Sequence, residues 1–206
     1  MRFRRGGAIA ALALAVILGT TTVASAKPTA KPTKAEKALY NNLPQATYPT
    51  CQPSTSVVKK DYAMVYPSAK TAIATIVAAI SCSGVAGAGA PDVVVFTKWK
   101  TDAAMKSFYT TVRTDFNIQP DSGTGNTCPE EGTVVVNQTQ QLGREVCYVD
   151  SSNGGSEYVW TIDQLKILAN AIKTNDPNGS LISTWWTTGA PGPNVPTSGT
   201  STTPSS

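Results

Sequence analysis

The 206-residue sequence contains no histidine, and that absence excludes more chemistry than any motif adds. Without imidazole there is no Ser/His/Asp or Cys/His nucleophile system, no histidine general acid or base, and no His-ligated metal. Charge is also sparse, at 15% of residues, and the segment 189–206 carries none. Phosphate-binding glycine patterns are missing, because Gly84, Gly87 and Gly89 sit among alanines with no helical pattern behind them. The cysteines include no Cys-x-x-Cys pair, which leaves no expected metal site and no implied cofactor.

The N-terminus is where the basic and apolar residues concentrate. Arg2, Arg4 and Arg5 precede an uninterrupted apolar run from Ala8 to Leu18, and Ala24-Ser25-Ala26 follows, the pattern of a secretory signal peptide over residues 1–26. The run is too short for a membrane span of ~20 apolar residues, and the Thr20-Thr21-Thr22 stretch behind it disfavours retention as an anchor. Removing Arg2, Arg4 and Arg5 takes the 17 basic residues to 14 against 13 acidic ones, so the mature chain is close to neutral. The clusters that remain, such as Lys59-Lys60, are too short for a nucleic-acid footprint, and no nucleic-acid partner is expected.

Four cysteines, Cys51, Cys82, Cys128 and Cys147, are an even set in a chain addressed to an oxidising compartment. Disulfides follow. Of the three connectivities, the sequential one, Cys51 to Cys82 and Cys128 to Cys147, closes two local loops and is preferred on that ground.

The Lys/Pro/Thr/Ala composition of residues 27–36 reads as a linker, and the Ser/Thr/Pro/Gly-rich residues 189–206 as a disordered tail, which places a single folded domain at 37–188. Within it, Asp92 to Thr97 is a strand followed by a helix over Asp102 to Thr114, where Ala104, Phe108 and Val112 recur at helical spacing. A similar pair follows in the second half. Glu157 to Thr161 reads as a strand, and Asp163 to Lys173 as a helix with Leu165, Leu168, Ala169 and Ile172 on one face behind a Thr161-x-x-Gln164 capping box. Trp99-x-x-Asp102 aligns with Trp160-x-x-Asp163, a faint sign of internal duplication. Thr71 to Cys82, Thr133 to Asn137 and Gly143 to Tyr148 add three strands. The expected fold is α+β: an antiparallel sheet of about five strands with two main helices on one face.

An enzyme without histidine needs carboxylates, and the densest group is Glu130, Glu131 and Asp121 around Cys128. Neighbouring acids in a polar loop are ordinarily just solvated, so no catalytic residue is assigned. Large aromatics offer a different chemistry. Trp99 lies between two lysines and Trp185-Trp186 precede the tail, so exposed rings there would stack on a sugar or hold a peptide, unless they pack inside.

Taken in order, Leu43-Pro44, Cys51, Ala78-Ala79-Ile80-Ser81-Cys82, Val95-Phe96, Cys128, Gly143, Cys147-Tyr148, Val159-Trp160-Thr161, Leu181 and Trp185-Trp186 resemble the extracellular domain that follows the membrane span of many actinobacterial Ser/Thr protein kinases. The likeness covers residues 43–186. It implies a two-disulfide module without catalytic residues that senses or binds something outside the cell, here without a kinase and behind a signal peptide. The expected function is therefore a secreted or cell-wall-associated, non-catalytic binding module whose partner is an envelope glycan, peptide or protein. The alternatives are a small cell-wall hydrolase using Glu130, Glu131 or Asp121, and a structural envelope protein.

Overall fold

The computed structural model describes residues 31–43, 47–123, 128–136, 140–150 and 154–188. The expected signal peptide 1–26 and the expected tail 189–206 lie outside the described residues. Among those described, no helix is long and apolar enough to cross a membrane.

The described residues form five α-helices and seven strands. In order these are α1 (Lys34–Asn41), β1 (Thr50–Pro53), α2 (Thr55–Val65), α3 (Lys70–Ala74), β2 (Ile76–Ser83), β3 (Val93–Trp99), α4 (Asp102–Asp115), β4 (Glu130–Val136), β5 (Gln140–Asp150), β6 (Gly155–Ile162), β7 (Ile167–Lys173) and α5 (Ser180–Thr187). All strands join one sheet in the order β1-β2-β3-β7-β6-β5-β4, and every neighbouring pair is antiparallel. The α+β class is as expected, with five strands an undercount. The first half supplies β1 to β3, α4 crosses the sheet, and β4 to β7 meander back until β7 meets β3.

The helices are not confined to one face. Leu39 and Leu43 at α1, with Ile182 and Trp185 of α5, pack on Ala78, Ile80, Phe96, Tyr158, Trp160 and Ala169, and this side is called face A below. On face B, Val58 and Tyr62 of α2, Ile73 of α3, and Met105, Phe108 and Val112 of α4 cover Ala79, Val95, Val146, Val159 and Leu168. Covering both faces explains the largest departure from expectation, at residues 163–173. Ile167 to Ile172 are buried on both sides, so the strand shows no alternation and reads as a helix by composition. A short 3-10 turn at Asp163–Leu165 and Lys166 in the left-handed region (φ 50°) reverse the chain, which pairs Ile162 with Ile167. Thr161 caps no helix: its hydroxyl donates to Asp163 Oδ1 (2.8 Å) and accepts from the Arg144 amide (2.9 Å).

The second half is therefore strand–strand where the first is strand–helix, and the suspected duplication does not extend to structure. The two aligned aspartates do meet, since Lys106 bridges Asp102 and Asp163 at 2.9 Å each. The strand expected from Thr71 begins only at Ile76, because α3 occupies Lys70–Ala74. The expected linker 27–36 is likewise too long, since its end forms the cap and first turn of α1. Both disulfides pair as the sequence order favoured, Cys51 with Cys82 between directly opposed residues of β1 and β2, and Cys128 with Cys147 between the approach to β4 and β5.

Candidate functional site

One concavity is built by α1 and the edge strand β1. Thr33 accepts from the Glu36 amide (3.2 Å), while Glu36 Oε2 accepts from the Thr33 amide (2.8 Å) and hydroxyl (2.9 Å), a reciprocal cap that fixes the start of α1. The other oxygen, Oε1, accepts from the Thr55 hydroxyl (2.5 Å) and amide (3.4 Å) at the start of α2. One carboxylate thus ties two helix N-termini together, where the helix dipoles favour negative charge. Burial would raise the Glu36 carboxyl, but the hydrogen bonds from Thr55 and Thr33 hold it below its ordinary value.

With Glu36 anchored, Tyr40 lies four residues after it and three after Lys37, so both neighbour Tyr40 along one side of α1. Opposite them, Cys51 and Pro53 alternate toward face A from β1. A groove of about 310 Å³ lies between, walled by Pro32, Tyr40, Cys51, Pro53 and Ile80, with Lys37 and Gln52 as its polar rim. That volume is at the lower end of small-ligand sites, which are mostly apolar with a few placed polar groups. Ile80, paired with Pro53, contributes to the groove from β2.

The tryptophans named from the sequence are placed otherwise. Trp99 is 1% exposed, packs against Phe108 and donates to the Thr97 hydroxyl (2.8 Å); Trp185 is 2% exposed and donates to the Ala86 carbonyl (3.2 Å). Neither presents a ring face to a ligand, because both serve as core. Trp186 is half-buried and stacks on Tyr158 with centroids 4.2 Å apart. Beneath it lies Glu145, 3% exposed, whose carboxyl burial pushes up to about 8 despite hydrogen bonds from Trp186 and Tyr158 and the nearby Arg144.

The acidic trio is split. Glu130 and Glu131 are successive residues of β4 and point to opposite faces. Glu131 is buried on face B and accepts from the Arg144 guanidinium (2.8 Å), the Tyr109 hydroxyl (3.0 Å) and the Asp121 amide (2.9 Å), with Arg113 at 3.4 Å. Asp121 is brought to the same Arg144, at 2.5 Å, but is 75% exposed. This cluster pins the 121–123 loop to β4, and its oxygens are taken up by the pinning. A Ser-x-x-Lys spacing, Ser56 to Lys59, lies on α2, where the Lys59 ammonium is spent on the Ala74 carbonyl (3.1 Å). Among the described residues no three metal-ligating side chains cluster.

Comparison with protein-family models, curated proteins and solved structures returns no match.

Two polar features had weaker signals in the sequence. Glu145 follows Arg144 in the strand-like run Gly143 to Tyr148, where alternation puts it on the same side as Cys147. Glu157 accepts from the Tyr148 hydroxyl (2.7 Å) and Asn170 amide (2.9 Å), and Tyr66 lies 3.4 Å from Tyr148. Burial raises the Glu157 carboxyl, against the two donors. The α1–β1 groove had one legible cue, Thr33-x-x-Glu36, which marks a helix start inside what composition assigns to a linker.

Proposed function

We propose that this chain is an exported, non-catalytic binding module that takes an envelope glycan or peptide in the groove between α1 and β1. The groove itself carries this reading: a ligand-sized, mainly apolar concavity with Tyr40 in its wall and Lys37 and Gln52 at its rim. Two further features support it. The paired disulfides fit an oxidising compartment, and the carboxylates named as catalytic candidates do not face one another across a cleft. The resemblance to the extracellular domains of actinobacterial Ser/Thr kinases points the same way, toward a sensor-like role without chemistry.

The test is NMR titration of the isotope-labelled chain with muropeptides and with short extended peptides, alongside mass analysis of the same fragments after incubation. Binding should perturb Lys37, Tyr40, Gln52 and Ile80 and leave the fragments intact. Tyr40→Ala should weaken it ~10-fold or more, the size expected when a stacking aromatic is removed. Cleavage of muropeptides that a Glu130→Gln/Glu131→Gln variant loses would replace this reading with a hydrolase. Neither binding nor cleavage at the highest fragment concentration would leave a structural envelope role.

A further inference from the structure

The two edges of the sheet are treated differently by the sequence. β1 has four residues, ends in Pro53, which has no amide hydrogen to offer, and is flanked by the groove. β4 has seven residues, no proline, and an uncharged stretch from Gly132 to Val136 in which Val135 is 53% exposed. Beyond Glu130 and Glu131, that stretch has neither charge nor proline to guard it and is a template for pairing with another strand.

Main-chain directions along β4 are fixed by two independent contacts. Glu131 donates its amide to the Ser122 hydroxyl (2.8 Å) and accepts at its carbonyl from Gly123 (3.2 Å), so its main-chain groups point away from β5. The Arg144 amide, opposite Thr133, points to Thr161 on β6 instead of back to β4. By the alternation of antiparallel ladders Thr133 directs its main-chain groups outward, and so does Val135, because the bulge between Val134 and Val135 puts its extra residue, Leu142, on β5 and leaves the alternation of β4 unbroken. Among the described residues nothing meets them. The loop at Ser122 and Gly123 already occupies the edge at Glu131, which both shows that the edge accepts partners and marks where the open part begins.

We propose that this open edge pairs with β4 of a second copy of the chain, antiparallel about a two-fold axis at Val134, to form a continuous sheet across a weak homodimer. The register is self-consistent. Thr133 would oppose the partner's Val135 as a hydrogen-bonded pair, which matches their outward groups, and Val134 would oppose its own copy as a non-hydrogen-bonded pair, which matches its inward ones. β-branched residues then meet β-branched residues on both faces. The acids do not collide, since Glu131 lies beyond the ladder and is held by Arg144 and Arg113. A near-neutral mature chain adds little repulsion between copies.

Light scattering of the oxidised full chain from micromolar to millimolar concentration, with amide exchange at both ends of that range, tests this. The mass should rise toward twice the monomer, and the Thr133 and Val135 amides should exchange at least ~10-fold more slowly at the high end, as closed amides do. Val135→Lys should abolish both effects without lowering the melting temperature. Thr133→Pro removes only an outward amide and should do the same, while Met64→Lys, exposed on α2 away from the edge, should leave the dimer intact. A chain that stays monomeric at millimolar concentration overturns the proposal. So does a dimer that survives Val135→Lys, or one that Met64→Lys disrupts equally.

Discussion

Glu145 is a carboxylic acid whose ionisation the fold resists. Its carboxyl is pushed up to about 8 in the folded chain, from an ordinary value of about 4.5 when unfolded, because burial under Trp186 penalises the charge more than its donors relieve it. Between those values the folded chain holds a proton that the unfolded chain has lost. Stability must therefore fall as pH rises from about 4.5 to about 8, by at most ~1.4 kcal/mol per pH unit from this group, and level off above. Glu145→Gln keeps an acceptor for Trp186 and Tyr158 and removes the titration. Urea unfolding at several pH values should find the variant close to wild type near pH 4.5 and a few kcal/mol more stable above about 8. Parallel curves for the two proteins would mean that Glu145 is charged in the fold. Glu157 also titrates upward but is common to both proteins, so it drops out of the difference.

Among the elements, α5 shows how the glycines after β2 serve packing. Trp185 enters face A beside Trp160, and the loop after β2 closes over it. Gly87 has φ 119°, and a Cβ there would sit 3.0 Å from the Trp185 ring; at Gly89, with φ 70°, it would fall 2.1 Å from the Leu181 carbonyl oxygen. The helix start is held by buried Asp176, which accepts from the amides of Leu181 (3.1 Å) and Ile182 (3.0 Å) and from the Ser156 hydroxyl (2.6 Å). Trp185→Ala should cost ~3–5 kcal/mol by calorimetry, the usual penalty for emptying a large aromatic site. Gly89→Ala should also lower the melting temperature by several degrees, because both the backbone angle and the clash oppose it. A neutral Gly89→Ala would show that α5 is free to move off the loop.

These elements also mark where sequence patterns were informative. α4 was legible because one of its faces meets solvent, so Met105, Phe108, Tyr109 and Val112 stand out at helical spacing. β7 was not, because burial on both sides erased its period, and α2 was missed although it carries Val58 and Tyr62 into face B. The acids were visible as residues but not as partners. Nothing local in Glu131 reveals Arg113 and Arg144, and the groove needs α1 and β1 to be set against each other.

At the scale of the whole molecule, the disulfides brace each half of the sheet, and neither crosses the seam between β3 and β7. Cys51–Cys82 holds β1 to β2 over a separation of 31 residues, and Cys128–Cys147 holds the start of β4 to β5 over 19. What joins the halves is the β3–β7 ladder, with Thr97 donating to the Leu168 carbonyl and Asp92 paired with Lys173 across it, together with the two apolar faces. Face A runs from Leu39 to Trp185 and face B from Val58 to Leu168, each drawing side chains from both sides of the seam. Two consequences can be measured together. Replacing either cysteine pair by serine should cost ~3–4 kcal/mol in the chain-entropy picture, and the two losses should be nearly additive, because the bridges share no partners. Unfolding should nonetheless remain a single calorimetric transition in each variant, with the van't Hoff and calorimetric enthalpies equal. Two transitions in either variant would mean that each half holds its own core and that the seam contributes little, which contradicts cores that span it.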